Sequence, residues 1–163
     1  MFNRLTELRD KYARGEDGFT LIELLVVVVI IGILIAIAIP LYLNYKEGAN
    51  DKAAQSDLRG AISALEQCMS DNNVYPTGPT SLSGTLTAGT GQTACTQTIT
   101  TSSGTTLAYY PNSTDTAYLV VATNSSGNVT GGTNGFYCYA SAAGGSVQKK
   151  TASATPSAYA ATC

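Results

Sequence analysis

A single carboxylate, Glu23, interrupts an otherwise apolar run from Phe19 to Ile39. Inside a membrane such a group costs on the order of 2.5–3.5 kcal/mol at mid-bilayer, and less near an end. Glu23 lies four residues after Phe19, about 6 Å into the run if the run is helical. Two chemistries fit it. It can mark the membrane boundary and stay hydrated, or it can meet a cation. Cutting the chain before Phe19 would make such a cation, an α-amine with an ordinary pKa near 7.7–8.0.

The other reactive residues are four cysteines, Cys68, Cys95, Cys138 and Cys163. None forms a CxxC pair, so a metal knuckle is not indicated. In a chain with an export signal they read as two disulfides. Of the three pairings, adjacency favours Cys68–Cys95 and Cys138–Cys163, with loops of roughly 25 residues worth about 3 kcal/mol each in the chain-entropy model. There is no histidine, and residues 72–163 carry only Asp115, Lys149 and Lys150 as charged side chains. No acid pair, triad or metal set can be assembled there, which argues against an enzyme, a metal site or a cofactor. Net charge is −2, so nothing drives the chain toward nucleic acid. Lys149-Lys150 reads as a solvated turn.

The elements that must position these residues fall into three regions. Residues 1–18 hold eight charges, four of each sign, and read as a short cytoplasmic leader. Residues 19–39 form a stretch of 21, about 30 Å as a helix, enough to cross the hydrocarbon core. Basic residues near the span lie mostly before it, which places the N-terminus in the cytoplasm. Beyond Pro40, Ala54, Leu58, Ala61, Ile62, Leu65, Cys68 and Met69 recur at spacings of three and four. That is an amphipathic helix with one buried stripe, ending near Asp71 before Tyr75-Pro76. Asp51, Lys52, Gln55, Ser56, Arg59 and Glu66 fill its other side. If Pro40 only kinks the chain, one helix runs from about Phe19 to about Asp71.

The remainder is turn-rich: 42 of residues 72–163 are Gly, Ser or Thr. Thr116–Thr123 and Gly135–Ser141 read as strands, with Thr105–Tyr110 and Thr96–Thr101 weaker. Asn124–Asn128 reads as a turn. The expected fold is α+β, a long N-terminal helix packed on a small antiparallel sheet. Asn112, Asn124 and Asn128 each begin a glycosylation triplet, and all three are read as turns. Phe19, Tyr42 and Tyr45 flank the span as an interfacial belt. One competing reading stays open on composition: an ordinary secretory signal cleaved after Ala36-Ile37-Ala38, which would discard the span.

The sequence Gly18-Phe19-Thr20-Leu21-Ile22-Glu23-Leu24-Leu25, continued by Val26–Ile39 and Pro40, closely resembles the class III signal of type IV prepilins. Ala53-Ala54-Gln55-Ser56-Asp57-Leu58-Arg59, Ala64-Leu65-Glu66 and Tyr75-Pro76 resemble the helix and exit loop of type IVa major pilins. The resemblance covers about Gly18–Pro76. It implies cleavage by prepilin peptidase between Gly18 and Phe19, and N-methylation of Phe19. It implies that Glu23 pairs with a neighbouring subunit's terminal amine and that Pro40 kinks the helix. Three parts follow: a leader 1–18, a transmembrane and assembly helix 19–40, and a head 41–163 whose helix reaches about residue 71. The implied partners are identical subunits in a helical homopolymer, the peptidase and methyltransferase, a pilus assembly platform, and the membrane before assembly. A pseudopilin of a type II secretion or DNA-uptake system shares the features up to Pro40. Secretion pseudopilins typically add an acidic calcium loop, whereas Asp115 is the last acidic side chain here.

The two cleavage readings differ by a whole membrane span. Intact-mass and N-terminal peptide measurements on the surface protein are expected to place the mature N-terminus at Phe19. A terminus at Ile39 would sink the filament reading.

Overall fold

The computed structural model describes residues 19–76, 81–85, 95, 97–127, 135–151, 158 and 160–163. The leader, Gly18 and the Asn128 triplet lie outside these residues. The chain divides into one unit ending at Leu41 and a second spanning Tyr42–Cys163.

Helix α1 covers Leu21–Asn72, 52 residues, with Pro40 inside it. Fixed φ and a missing N–H make an interior proline costly, about 3 kcal/mol, yet the helix runs through it. The helix ends one residue past the expected place. Asn73 takes a left-handed φ of 59°, a conformation asparagine tolerates, and its N–H bonds the Met69 carbonyl at 2.7 Å. This closes the last turn as a C-cap.

The second unit packs a sheet on the lower half of α1. The strands are β1 (Gly84–Thr85), β2 (Thr98–Ile99), β3 (Thr105–Pro111), β4 (Tyr118–Asn124), β5 (Phe136–Ala140) and β6 (Gln148–Lys150). β3-β4-β5-β6 make one antiparallel sheet, and β1-β2 a separate pair. β3 and β4 are in register from Thr105 opposite Asn124 to Pro111 opposite Tyr118. β3 is an edge strand, and Pro111 sits at its end, where a missing ladder donor is tolerated. Leu82 covers that edge, donating its N–H to the Leu107 carbonyl at 3.0 Å. Lys149-Lys150, expected in a turn, forms β6 opposite Tyr137 and Phe136. Exposed lysine on a short edge strand discourages further pairing.

Ala54, Leu58, Ala61, Leu65 and Cys68 from α1 are buried against Leu107, Tyr109, Tyr118, Val120 and Ala122. The expected stripe is therefore the one that packs. Two residues placed on its solvent side do not behave so. Asp51 is buried. Glu66 accepts the hydroxyls of Tyr118 at 2.8 Å and Tyr75 at 3.0 Å. Exposed at its own surface, it still clamps two tyrosines whose rings stack edge-on, centroids 4.7 Å apart. Tyr109 donates to the Pro76 carbonyl at 2.8 Å, so the loop leaving the helix is held by side chains from three elements.

A second core lies on the other face of the sheet. Leu119, Val121, Phe136, Cys138 and Ala140 are buried there, with Ala160 and Cys163 packed on them. β4 is thus buried on both faces. Between β2 and β3, Gly104 has a φ of +79°, and a Cβ there would meet Ser125 Oγ at 3.1 Å and Asn124 Oδ1 at 3.2 Å. Only glycine fits that approach without strain.

Burial, then the hydrogen bond to Glu66, pushes Tyr75 up to about 12, and the same causes in the same order raise Tyr118. The unfolded chain loses these phenolic protons near pH 10, while the folded head keeps them. Their contribution is therefore complete below about pH 10 and falls as pH rises toward the folded values. Urea titrations of Tyr42–Cys163 should show stability dropping above about pH 10. Tyr118→Phe should cost about 1 kcal/mol at neutral pH and flatten the alkaline drop. An unchanged alkaline slope would remove the tyrosine clamp as its cause.

Candidate assembly and processing site

The start of α1 is built from two residues. Thr20 precedes the helix and Glu23 is in its first turn. Glu23 Oε2 accepts the Thr20 backbone N–H at 2.8 Å and the Thr20 hydroxyl at 2.7 Å. The Glu23 N–H approaches Thr20 Oγ1 at 3.3 Å. This is a reciprocal capping box, in which each residue satisfies an otherwise unpaired amide of the other. A carboxylate also suits the positive end of the helix dipole. Sequence reasoning missed the box, although its signal, Thr-x-x-Glu ahead of an apolar run, is present at Thr20–Glu23.

The box changes what Glu23 can do. Both contacts fall on one carboxylate oxygen and come from the same chain. Among the described residues nothing else touches that side chain, so its other oxygen can receive an external donor. Phe19 is 84% exposed. Its α-nitrogen would become an ammonium on cleavage, and Gly18, on the other side of that bond, is outside the described residues. The structure therefore holds an open carboxylate oxygen on Glu23 and an exposed Phe19 at the same end of the chain. It does not itself bring the two together.

Behind the box, the large apolar side chains from Leu21 to Tyr45 are all exposed, none less than 48%. The helix is long and apolar enough to cross a membrane. A helix apolar all round is at home in lipid, or among other apolar helices. Pro40 sits within this exposed stretch.

Cys68 and Cys95 form a disulfide, Cα–Cα 5.4 Å, which ties the end of α1 to the segment leading into β2. In place of the expected Cys138–Cys163 bridge, the structure holds two thiols. They are in contact: Cys163 packs on the second core and hydrogen-bonds Cys138. Burial first, then that hydrogen bond, pushes the Cys138 thiol up. The thiolate that must attack in disulfide exchange is thereby suppressed.

Two of the glycosylation triplets, those at Asn112 and Asn124, take structural roles. Asn112 Oδ1 accepts the backbone N–H of Thr116 at 2.9 Å and Ala117 at 3.2 Å. Its amide donates to Thr114 at 3.0 Å. Asn124 is buried and donates to Thr105 Oγ1 at 3.0 Å. Both amide groups are engaged by bonds within the chain. Among the described residues, no group of three or more His, Cys, Asp or Glu is placed to hold a metal ion.

The family described as the prokaryotic N-terminal methylation motif matches residues 13–39. That segment holds the capping box, the Gly18–Phe19 junction and most of the exposed apolar stretch. The type II secretion system core protein G of Vibrio cholerae serotype O1 is 45% identical over 67 residues, 41% of this chain and 46% of that protein. Its counterpart in Aeromonas hydrophila is 44% identical over 64 residues, 39% and 45% of the two chains. The chain spans under half the length of these two relatives. The type IV major fimbrial protein FimA of Dichelobacter nodosus is 40% identical over 114 residues, 66% of this chain and 70% of that protein. A prepilin-type N-terminus, one long apolar helix, a four-stranded antiparallel sheet and a relative matched over most of its length converge on one conclusion: the chain belongs to the type IV pilin family and is a type IV pilin-like precursor.

Proposed function

We propose that this chain is a structural, non-catalytic subunit of a type IV pilus. Residues 1–18 are a leader removed between Gly18 and Phe19 by prepilin peptidase, and Phe19 is then N-methylated. The helix of residues 19–40 holds the subunit in the cytoplasmic membrane, N-terminus inside. The head, residues 41–163, lies on the outer side. An assembly platform moves the subunit into a filament of identical copies, where apolar helices pack together. The Glu23 carboxylate, presented by Thr20, receives the terminal ammonium of a neighbour.

The observation that carries the pilus reading is the extent of the FimA match, 70% of that protein. It extends beyond the N-terminal helix, whereas the secretion-protein matches cover 45–46% of those relatives. The second reading, a pseudopilin of a secretion or DNA-uptake system, is supported by the higher identity of the secretion proteins over the shorter stretch. A calcium-loop pseudopilin needs several acids in its C-terminal half, and this chain has Asp115 alone after Asp71. Quantifying the protein in sheared surface filaments separates the two readings. Abundance as the main filament component supports the pilus. Absence from filaments, with loss of protein export on deletion, supports the pseudopilin.

Assembly gives a sharper test. Glu23→Val removes a charge that opposes membrane insertion, so membrane-bound precursor should stay constant or rise. Losing one partner of a desolvated charge pair costs about 2–5 kcal/mol, so filament yield should fall about thirty-fold or more. Thr20→Ala keeps the carboxylate but loosens its presentation and should give a smaller loss. Normal filaments from the Glu23→Val strain would discard the pairing role.

The Cys138–Cys163 contact is the place where an exported thiol–disulfide oxidant would close a second bridge. Non-reducing peptide mapping of surface protein is expected to find Cys68–Cys95 and Cys138–Cys163. A Cys68–Cys138 peptide would overturn this pairing.

A further inference from the structure

The two thiols of the second core hold unequal positions. Cys138 is 0% exposed. It sits in β5 between Val121 of β4 and Gln148 of β6, within the cluster of Leu119, Val121, Phe136 and Ala140. Cys163 packs on that cluster but keeps part of its surface in solvent. A reagent arriving from water therefore has access to Cys163 and none to Cys138.

Thiol–disulfide exchange proceeds by thiolate attack through a mixed disulfide. Each step depends on how much thiolate a sulfur carries and on whether that sulfur can be reached. Cys138 is disadvantaged on both counts. Burial, then its hydrogen bond to Cys163, holds its proton in place, and Lys150 pulls the other way more weakly. Leu119, Val121, Phe136 and Ala140 around it carry no charge to offset the loss of water. Such a thiol is a poor first attacker. It can still finish an exchange begun beside it, since it is in hydrogen-bonding contact with Cys163.

We infer that Cys163 is the entry thiol, the site where a disulfide-carrying reagent becomes covalently attached to the head, and that Cys138 acts only to resolve the adduct. This order of events rests on the head lying outside the cytoplasm, as proposed above, where such reagents are met. In the first step Cys163 gives its proton to water and its thiolate attacks the reagent's disulfide. A bond forms between Cys163 Sγ and one reagent sulfur, and the other leaves as a thiolate. In the second step Cys138 gives up its proton, its Sγ attacks Cys163 Sγ, and the remaining reagent sulfur leaves. The two cysteines lose two electrons and two protons, and the reagent's disulfide gains them as two thiols.

The second step is the slower one, because the resolving sulfur must ionise inside an apolar cluster. A small disulfide such as oxidised glutathione therefore leaves half of itself on Cys163 as an intermediate that can be caught. The closed bridge is protected by the same asymmetry. A reductant can reach it only at Cys163, and attack there must expel the Cys138 thiolate, a poor leaving group in that setting.

The full-length chain, in mild detergent and with Cys68–Cys95 closed, would be treated with oxidised glutathione, acid-quenched over time and mapped by mass spectrometry. In the Cys138→Ser chain, Cys163 should take up one glutathione and keep it. In the Cys163→Ser chain, Cys138 should react about tenfold more slowly, or slower still. In guanidinium chloride the two rates should converge, since the asymmetry belongs to the fold. The unsubstituted chain gives a reading free of repacking: brief iodoacetamide treatment of its dithiol state should label Cys163 ahead of Cys138. Equal rates in the folded chains, labelling of Cys138 first, or an asymmetry that persists in guanidinium chloride would overturn the order. All of these are read on purified protein, so their failure leaves the pilus reading standing, whereas failure of that reading shows as absence of the protein from sheared surface filaments.

Discussion

The constraint on which everything else depends is the unbroken apolar surface between Glu23 and Tyr42. Its large apolar side chains are exposed, and leaving them against water is unfavourable. Lipid and a bundle of like helices are the two environments that remove this surface from water. Moving such a helix between them would exchange one apolar surrounding for another. The driving force for that move cannot come from burial alone, because both homes provide burial. Specific polar chemistry at the ends of the apolar run must supply the difference, and the run has polar groups only at its ends.

The capping box is the polar chemistry at the inner end. An uncompensated carboxylate near hydrocarbon would be a liability. Thr20 supplies a backbone amide and a hydroxyl to one oxygen of Glu23, so the group arrives partly satisfied. The same two contacts restrict its rotamers and aim it along the helix end. One local motif therefore lowers the cost of carrying the charge and fixes its orientation.

The long helix was legible because its signals are redundant: a 21-residue stretch broken only by Thr20 and Glu23, a stripe at spacings of three and four, and a stop before Tyr75-Pro76. The two central strands were legible from clusters of β-branched and aromatic residues. β6 was not, since Gln148-Lys149-Lys150 has no strand propensity and pairs only because β5 offers an edge. The roles of Glu66 and Asp51 were hidden for a different reason. A helical wheel assigns a face but not a reach, and a glutamate beside the buried stripe can extend back to tyrosines brought in by other elements. The second core was foreshadowed by Tyr118-Leu119-Val120-Val121-Ala122, a continuous apolar run. Such a run indicates burial on both faces rather than one. What it could not reveal was that the chain end, through Ala160 and Cys163, provides part of the cover.

Burial of β4 on both sides bears on how such a protein can diverge. A strand with no solvent face has no position at which chemistry can be exchanged without repacking a neighbour. β5 is nearly as constrained, and Asn112 and Asn124 are committed to holding their turns. Sequence drift visible from outside is thereby channelled into the small, polar connecting segments and the exposed flank of the helix. A relative recognised by an antibody or a phage could alter that recognition freely while its interior stayed almost fixed.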